Sequence, residues 1–361
     1  MLKYKSLRFL LPTILSIILV MGGFSCNILT GPHHGGGADT TSNNFTFQSY
    51  TFGAGNAGSS YLQDIAIIND SDIWAVGAVY LDSADGNPDP FPYNAVHWDG
   101  SGWQPMKITV QTRYGLVTAP FYGVYAFSSN DIWISSGLPI HGDGKSWTQY
   151  DLYGMGILSQ TDGYVTRIFG ENSTNIYFVG TKGTIVHNSN GTWTKISSGT
   201  TLNIDDIWGD GGQILAIASN VLSFPQDRKV LQVNGNTATA ISDSGLPLNC
   251  SSIWFVSGQK YFVVGEGIHF KHVLNENIWS GYPSGVVTSY YSESVRGIDT
   301  SSVVVAGDFG EIAYYNGKRW SRYWSSIPYS NGSFHSVSIK ENMMVAVGEL
   351  NNAAWIVVGK R

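Results

Sequence analysis

The sequence is poor in charge, in cysteine and in helix-forming stretches. Charged residues make up 13% of its 361 residues, against about 25% in typical soluble proteins. Two cysteines cannot provide a disulfide scaffold. Beyond residue 25 the sequence has no long run rich in Ala, Leu, Glu and Lys, so helix bundles and α/β barrels are excluded as fold classes.

Positive charge is also scarce. The chain has 20 Lys and Arg against 26 Asp and Glu, a net charge of −6. Residues 1–25 hold Lys3, Lys5 and Arg8 and no acidic residue, so the rest of the chain has 17 basic and 26 acidic residues and a net charge of −9. A nucleic-acid surface needs clustered Lys and Arg, and we therefore expect no nucleic-acid partner.

Glycine and aromatic residues are abundant instead. The chain has 43 Gly, 12 Trp, 20 Tyr and 16 Phe. Aromatic and β-branched residues separated by Gly, Asn, Asp and Ser are typical of strands and turns. Their abundance also argues against a disordered chain. The composition predicts an all-β fold.

The first 25 residues have the features of an export signal. A basic start is followed by an apolar run over residues 9–21, which is shorter than the ~20 residues of a membrane-spanning helix. Ser25-Cys26 then resembles the lipobox of bacterial lipoproteins, in which the signal is removed and the new N-terminal cysteine is acylated. Gly23-Phe24 departs from the usual pattern of Leu and a small residue.

This resemblance implies lipidation at Cys26 and a membrane-anchored lipoprotein of the cell envelope, in the outer membrane and facing either the periplasm or the exterior. An ordinary secretory signal and an uncleaved anchor are the alternatives. Residues 26–44 are rich in Gly, Ser, Thr and Asn, and we expect them to be a flexible tether because they cannot bury enough apolar surface to fold. His33 and His34 in this segment lack the spaced further ligands of a metal site.

An internal repeat covers the rest of the chain. A tryptophan that follows a turn recurs at intervals of 41 to 46 residues, and a threonine takes its place once. These positions are Trp103, Trp147, Trp193, Thr237, Trp279 and Trp320. Such a period is typical of β-propellers, whose blades are four-stranded sheets.

A turn signal precedes this position in most repeats. Asp-Gly or Asn-Gly pairs occur at residues 99–100, 143–144, 190–191, 234–235 and 316–317. They suit the two-residue type I′ turn, which needs positive φ at both central positions. We therefore predict type I′ hairpins between the third and fourth strands of these blades.

The second strand of each repeat is the clearest motif. Apolar segments, most of which end in glycine, occur at 72–77, 131–134, 175–180, 261–265, 303–307 and 343–348, with a degenerate copy at 213–218. The last copy lacks a fourth strand, whereas the strand-like segment 45–52 precedes the first copy. We predict a seven-bladed β-propeller over residues 45–361 in which this N-terminal strand completes the last blade and removes a free edge.

The motifs D-I-W-A-V-G at 72–77 and A-V-H-W-D-G at 95–100 resemble the blades of bacterial secreted lipoproteins with propeller domains. These belong to the loose group of sialidase-repeat-like and photosystem-assembly-factor-like propellers. The resemblance covers residues 45–361 and implies blades rather than a chemistry. In the Asp box of sialidases glycine stands two residues after the Asp, whereas Gly100 follows Asp99 directly, and this weakens an inference of sugar hydrolysis.

Five long segments are expected to emerge on one side of the ring, because the connection from second to third strand and the connection between blades share a side. They are residues 79–93, 107–120, 149–164, 219–228 and 280–290. Tyrosine provides contact area at low entropic cost, so these loops are candidates for ligand binding. The candidate residues are Asp82, Asp85, Asp89, Tyr93, Tyr114, Tyr153, Tyr164, Tyr282 and Tyr290. The alternative is that these tyrosines only pack the loops.

No cofactor or metal is expected. Residues 82–89 space Asp and Asn closely enough for calcium, but they do not match an EF-hand loop, and a solvated loop is the preferred interpretation. His97, His141 and His187 occupy similar positions in successive blades, which indicates repeat packing. Cys250 lies in an apolar strand and is expected to be an inert buried thiol.

These features favour a monomeric binding module for a protein, peptide or glycan on the side of the long loops. The alternative is a carbohydrate-active enzyme of glycosidase type on the same side, which needs a facing pair of carboxylates. A purely structural or assembly role is a third possibility. No catalytic residue is predicted, although Arg113, Arg167 and Arg296 could approach the upper end of the channel.

Overall fold

Antiparallel strands joined by short turns make up the fold. The computed structural model describes residues 42–53, 57–83, 85–220, 224, 226–327 and 331–361. The predicted signal segment, Cys26 and the predicted tether up to residue 41 lie outside this range. The described residues contain one helical element, the 3₁₀ turn Thr181–Gly183. None of their helices has the length and hydropathy needed to cross a bilayer.

Thirty strands follow one another along the described chain. The first is β1 (Thr46–Gly53), and the first blade contains β2 (Tyr61–Asn69), β3 (Asp72–Val79), β4 (Tyr93–Trp98) and β5 (Trp103–Met106). A small hairpin of β6 (Val110–Thr112) and β7 (Gly115–Val117) precedes the second blade, which contains β8 (Gly123–Ser128), β9 (Asp131–Ser135), β10 (Pro139–Gly142) and β11 (Trp147–Gln149). The third blade contains β12 (Val165–Asn172), β13 (Asn175–Gly180), β14 (Ile185–Ser189) and β15 (Thr192–Ile196).

The remaining four blades repeat this order. The fourth contains β16 (Asn203–Asp210), β17 (Gln213–Ser219), β18 (Arg228–Asn234) and β19 (Thr237–Ile241), and the fifth contains β20 (Cys250–Val256), β21 (Lys260–Gly265), β22 (Gly267–Lys271) and β23 (Ser280–Tyr282). The sixth contains β24 (Ser292–Asp299), β25 (Ser302–Gly307), β26 (Ile312–Tyr315) and β27 (Trp320–Arg322). The seventh contains β28 (Ser333–Lys340), β29 (Met343–Leu350) and β30 (Ala353–Lys360), with β1 as its fourth strand.

The seven sheets form a closed ring. The first strand of each blade, here called the inner strand, contacts the inner strands of its two neighbours in the order β2, β8, β12, β16, β20, β24, β28 and back to β2. β1 pairs antiparallel with β30 over eight residue pairs, from Thr46 opposite Lys360 to Gly53 opposite Ala353. The prediction of a seven-bladed propeller closed by its N-terminal strand is confirmed, with the strand one residue later than expected.

The hydrophobic core consists of layers between adjacent blades. Seven buried clusters occur, and each combines residues of two neighbouring blades. In β3, for example, Ile73 and Ala75 face the seventh blade, whereas Trp74 and Val76 face the second blade. Since successive side chains of a strand point to opposite faces, a strand covered on both faces is apolar throughout, which explains the continuous apolar motifs.

The predicted hairpins are present, but most of their turns differ from the prediction. Asn190-Gly191 forms a two-residue turn with φ of 49° and 81°, as type I′ requires. Asp99, Asp143 and Asn316 instead begin four-residue loops, and the side-chain oxygen of each accepts hydrogen bonds from backbone N–H groups two and three residues later. At 234–235 the turn residues are Gly235 and Asn236. Type I′ was therefore wrong in four of these five turns. In three of them a side-chain cap stabilises a longer loop, and at 234–235 the turn begins one residue later and only Gly235 has positive φ.

The three strand histidines have one structural role, repeated in each blade. His97 stacks on Trp74, with ring centroids 4.3 Å apart, and donates to Asp72 Oδ1 at 2.8 Å. His141 makes the same two contacts with Trp133 and Asp131. His187 stacks on Tyr177 and donates to Asn175 Oδ1. Each ring ties the third strand of its blade to the second, in agreement with repeat packing.

Candidate functional site

A β-bulge recurs at the same place in six of the inner strands. In each strand the register with the second strand shifts by one residue near the strand's beginning. The inserted residues are Gln63, Thr166, Asp205, Ser251, Glu293 and His335. A bulge leaves one residue unpaired and re-aims its side chain, and all six of these residues line the central channel of the ring.

The recurring glycine at the end of the second strand faces this bulge. Gly180 pairs with Val165 and Gly348 pairs with Phe334, the residues directly before the inserted Thr166 and His335. A Cβ at Gly180 would overlap the carbonyl oxygen of Tyr164, and one at Gly348 would overlap that of Ser333. Glycine therefore permits the close approach of backbone that the bulge requires.

The residue after each bulge joins neighbouring blades. Asp64 accepts hydrogen bonds from Val124 N at 3.0 Å in the second blade and from Ser336 Oγ at 2.7 Å in the seventh. Ser252 Oγ accepts from Val295 N at 3.2 Å, and Ser294 Oγ accepts from Val337 N at 3.2 Å. We call this circle of hydrogen bonds the polar belt.

Asp206 is the most heavily bonded member of the polar belt. Its two carboxylate oxygens accept from Arg296 Nη1 at 2.8 Å and Nη2 at 2.9 Å. It also accepts from Ser252 Oγ and from Ile253 N at 3.1 Å. The Asp206 side chain is only 3% exposed. One buried carboxylate thus joins the fourth, fifth and sixth blades.

The bulges and the belt surround a cavity of about 630 Å³, which we call the channel mouth. It lies where the inner strands begin, on the side from which the long loops emerge. All seven blades contribute to its lining. The lining residues are Gln63, Asp64, Tyr122, Thr166, Arg167, Asn203, Asp205, Asp206, Ser219, Asn220, Asn249, Cys250, Ser251, Ser252, Tyr291, Glu293, Ser294, Arg296, His335 and Ser336.

Two carboxyl groups in the channel mouth hold their protons unusually strongly. Burial raises the pKa of Asp205 to about 7, against a weaker opposing effect of the hydrogen bond from Ser219. Burial, with repulsion from Asp308, raises the pKa of Glu293 to about 7 as well. Desolvation disfavours the charged form of an acid, so both groups change their ionisation close to neutral pH.

The histidine and the cysteine of the channel mouth are uncharged near neutral pH. Burial lowers the pKa of His335, whose Nδ1–H donates to Leu62 O at 2.9 Å. Burial raises the pKa of Cys250 to about 12, and its thiol lies 3.3 Å from Pro247 O. A thiol that remains protonated is a poor nucleophile, in agreement with the expected inert cysteine.

The structure brings two of the three singled-out arginines to the channel mouth. Arg167 and Arg296 line it, and Arg167 Nη1 donates to Tyr122 O at 2.7 Å. Arg113 does not reach the channel mouth, because its guanidinium pairs with Asp151 between two outer loops.

The nine candidate ligand-binding residues do not line the channel mouth. Seven lie on loops, whereas Tyr93 begins β4 and Tyr282 ends β23. Asp82 is exposed and forms a bridge with Pro88. Asp85 accepts from Asn87, and Asp89 pairs with Lys107. The described residues contain no group of three or more His, Cys, Asp or Glu side chains placed to hold a metal ion.

The candidate tyrosines divide into packed and exposed ones. Tyr153 donates to Gly163 O at 3.1 Å, Tyr93 lies under Lys107, and Tyr290 packs against Phe309. Tyr114, Tyr164 and Tyr282 are exposed, and Tyr114 is the most exposed at 87%. The loops therefore contain both the packing and the surface tyrosines that the sequence left as alternatives.

Large exposed apolar side chains concentrate on the side of the long loops. Those on that side are Phe91, Tyr114, Leu116, Met155, Tyr164, Phe224, Leu248, Tyr282, Val286, Phe309 and Trp324. Within the described chain the opposite side exposes two, Val273 and Ile278, in the loop between β22 and β23. A concentration of exposed apolar groups on one surface is characteristic of an interaction site.

Sequence reasoning missed most of the channel mouth, although a signal was present. Pairs of adjacent polar residues lie near the beginning of six inner strands. They are Gln63-Asp64, Thr166-Arg167, Asp205-Asp206, Ser251-Ser252, Glu293-Ser294 and His335-Ser336. Two consecutive polar residues in a strand covered on both faces indicate a bulge.

A second cavity of about 540 Å³ lies between the third and fourth blades, away from the channel. Its lining includes the segment 197–202 and Lys182, Lys195 and Lys229. Lys195 is paired with Asp162. The channel mouth is the stronger candidate site because every blade contributes to it and three of its charged groups, Asp205, Glu293 and Arg167, are incompletely satisfied by hydrogen bonds.

The substitution Glu293→Gln is expected to stabilise the protein at alkaline pH. The ordinary pKa of this carboxyl is 4.5 and the folded value is about 7, so the native chain loses stability as pH rises from about 4.5 through about 7. Glutamine removes this loss, and the free energy of unfolding at pH 8 should rise by about 1–3 kcal/mol. At pH 4 the free energies of unfolding of Glu293→Gln and of the native chain should differ little.

Urea denaturation at pH 4 and pH 8 measures this effect. Glu341→Gln, at an exposed turn on the opposite side of the ring, is the matched control and should leave the pH dependence unchanged. Equal stability of Glu293→Gln and the native chain at pH 8 would contradict the assignment of a buried, proton-retaining carboxyl.

Comparison with solved structures agrees with the propeller fold. YCF48 bound to D1 peptide superposes with a TM-score of 0.63 at 14% identity and covers 87% of this chain and 97% of its own. YCF48 from Cyanidioschyzon merolae superposes with a TM-score of 0.58 at 16% identity and covers 87% of this chain and 98% of its own. The WD40 β-propeller domain of Doa1 superposes with a TM-score of 0.62 at 10% identity and covers 89% of this chain and 98% of its own. No protein-family model and no curated protein matches the sequence.

Proposed function

We propose that this chain is a membrane-anchored lipoprotein of the cell envelope that binds a peptide or a segment of another protein on the side of its long loops. The observation that carries the proposal is the coincidence on that side of the channel mouth and of most exposed apolar side chains. Exposed aromatic groups supply contact area for a ligand, and the polar groups of the cavity that they surround fix its orientation. One of the similar propellers is described as bound to a peptide, which supports this mode of binding.

The anchor in the proposal rests on the sequence. A basic start, an apolar run and Ser25-Cys26 favour acylation of Cys26, and residues 27–44 then form a tether between membrane and propeller. Two or three acyl chains would hold the protein stably on a membrane, since each buried methylene contributes ~0.8 kcal/mol. We propose an outer-membrane location and a monomeric propeller.

A carbohydrate-active enzyme is the second candidate function. The observation in its favour is the presence of Asp205 and Glu293 in one cavity, both with a pKa of about 7, since a glycosidase uses one carboxyl group as a general acid. Turnover of a glycan by the purified protein, lost in Glu293→Gln, would favour this function over binding.

Substitution of exposed aromatic residues should weaken peptide binding. Trp324 and Tyr114 are 60% and 87% exposed on the proposed binding side. We expect Trp324→Ser combined with Tyr114→Ser to weaken the binding of peptides by about tenfold or more, the loss typical of an aromatic interface anchor. Peptides are selected from a random library by binding to a protein of residues 27–361. Their affinities for this protein and for its variants are then measured by titration.

Ile278→Ser is the matched control, because Ile278 is 62% exposed on the opposite side. It should leave peptide affinity unchanged. Equal weakening by both variants, or an effect of Ile278→Ser alone, would place the binding surface elsewhere and contradict the proposal.

A further inference from the structure

Three charged groups of the channel mouth are incompletely satisfied by the protein. Glu293 has no hydrogen-bond or ion-pair partner within the described structure. Among the described residues, Asp205 accepts hydrogen bonds from Ser219 only, with Ser219 Oγ at 2.8 Å. Arg167 donates one, to Tyr122 O, although a guanidinium has five N–H donors. Asp206 and Arg296, in contrast, satisfy each other.

The ionised channel mouth has an excess of negative charge. Its carboxylates are Asp64, Asp205, Asp206 and Glu293, with Asp308 close to Glu293, whereas its cations are Arg167 and Arg296. His335, Tyr122, Tyr291 and Cys250 also face the cavity. Burial lowers the pKa of His335 and raises those of the two tyrosines and of the thiol, so these four groups are uncharged near neutral pH. Five anions against two cations favour a positively charged guest.

We infer that the channel mouth binds the cationic end of a Lys or Arg side chain of the bound peptide, with Glu293 and Asp205 as its acceptors. This inference rests on the proposed peptide-binding function and specifies the chemistry of the ligand. The cavity of about 630 Å³ has room for a long side chain. Hydrogen bonds between a cation and a carboxylate are stronger than neutral ones, and Glu293 offers two oxygens without a partner.

Binding of a cation should be coupled to loss of protons. Asp205 and Glu293 retain protons up to about pH 7, and a cationic guest favours their ionised forms. The affinity should therefore rise as pH increases from 5.5 to 8. Arg167 repels the guest, so its neutral replacement should not weaken binding.

The test uses three peptides with blocked termini, acetyl-Gly-Arg-Gly-amide and its Glu and Gln counterparts, titrated calorimetrically into the purified protein. We expect the Arg peptide to bind about tenfold tighter at pH 8 than at pH 5.5, with proton release seen in buffers of different ionisation enthalpy. Glu293→Gln should weaken binding of the Arg peptide about tenfold at pH 8, and it should reduce both the proton release and the pH dependence of the affinity. Arg167→Gln should preserve or strengthen binding, and Glu341→Gln on the opposite side should leave it unchanged.

Preferential binding of the Glu peptide, lost in Arg167→Gln, would overturn the inference and make the channel mouth an anion site. Unchanged affinity for the Arg peptide in Glu293→Gln would also overturn it. If library peptides bind and depend on Trp324 but not on Glu293, the proposed function stands and this inference fails. If no peptide binds at all, both fail. Circular dichroism of each variant verifies that the propeller is intact.

Discussion

Deletion of residues 45–52 is expected to abolish folding of the propeller. These residues include nearly all of β1, whose eight residue pairs with β30 complete the seventh blade. Phe45 is buried against Tyr314 and Tyr323 of the sixth blade, with ring centroids 5.2 and 5.9 Å away. On the other face of β1, Tyr50 and Phe52 pack against the first blade. The deletion removes contacts with three blades and exposes an unpaired edge.

The expected result is an insoluble or unfolded chain, measured by circular dichroism and size-exclusion chromatography. Deletion of residues 27–40, which lie before β1, is the control and should leave the propeller folded. Phe45→Ala alone should cost about 3–5 kcal/mol of unfolding free energy, whereas Gln48→Ala at an exposed position of the same strand should change it by less than about 0.5 kcal/mol. A soluble, cooperatively unfolding product of the deletion of residues 45–52 would show that the ring does not need β1.

Separation of the Asp206–Arg296 pair has the second largest expected effect. Asp206→Asn leaves the Arg296 guanidinium without its carboxylate, and Arg296→Met leaves Asp206 ionised and buried. Removal of one partner from a buried pair typically costs about 3–5 kcal/mol. Arg296 also lies over the Trp208 ring, 5.3 Å from its centroid, so its loss disturbs the packing between the fourth and sixth blades as well.

Urea denaturation of the two single variants and the double variant measures this effect as a double-mutant cycle. The double variant should be less destabilised than the sum of the single variants, because it leaves no unpaired charge. Arg322→Met, which breaks the more exposed pair with Glu311 at 3.8 Å, is the control and should cost less than about 1 kcal/mol. Strict additivity would indicate that the two side chains stabilise the ring independently.

The architecture was predictable because it repeats. The tryptophan period gives the size of a blade, and the apolar second strands, five of which end in glycine, give seven copies. The predicted hairpins all exist, yet their turn type was wrong at Asp99, Asp143 and Asn316. An Asp or Asn side chain can either adopt positive φ or cap a longer loop, and the dipeptide does not distinguish these outcomes.

The candidate site was predictable only as a side of the ring. Strand parity places the long loops together, and the exposed apolar residues lie there. The nine candidate residues nevertheless do not line the channel mouth, which contains Asp205, Glu293 and Arg167 instead. The loops attracted attention because they are long and rich in tyrosine, whereas the inner strands looked like uniform core.

Patterns in the sequence were thus sufficient to predict the blade period, the strand order and the closing strand. Turn and strand signals involve only a few neighbouring residues, and their recurrence along the chain defines the blades. The meeting of Asp206 with Arg296, and of Glu293 with Asp205, depends on the tertiary structure, because these residues come from different blades up to 90 positions apart. A one-residue shift of register directs each of these side chains towards or away from the axis. That shift arises at a β-bulge near the beginning of the inner strand, and only the closed ring brings the resulting polar groups together.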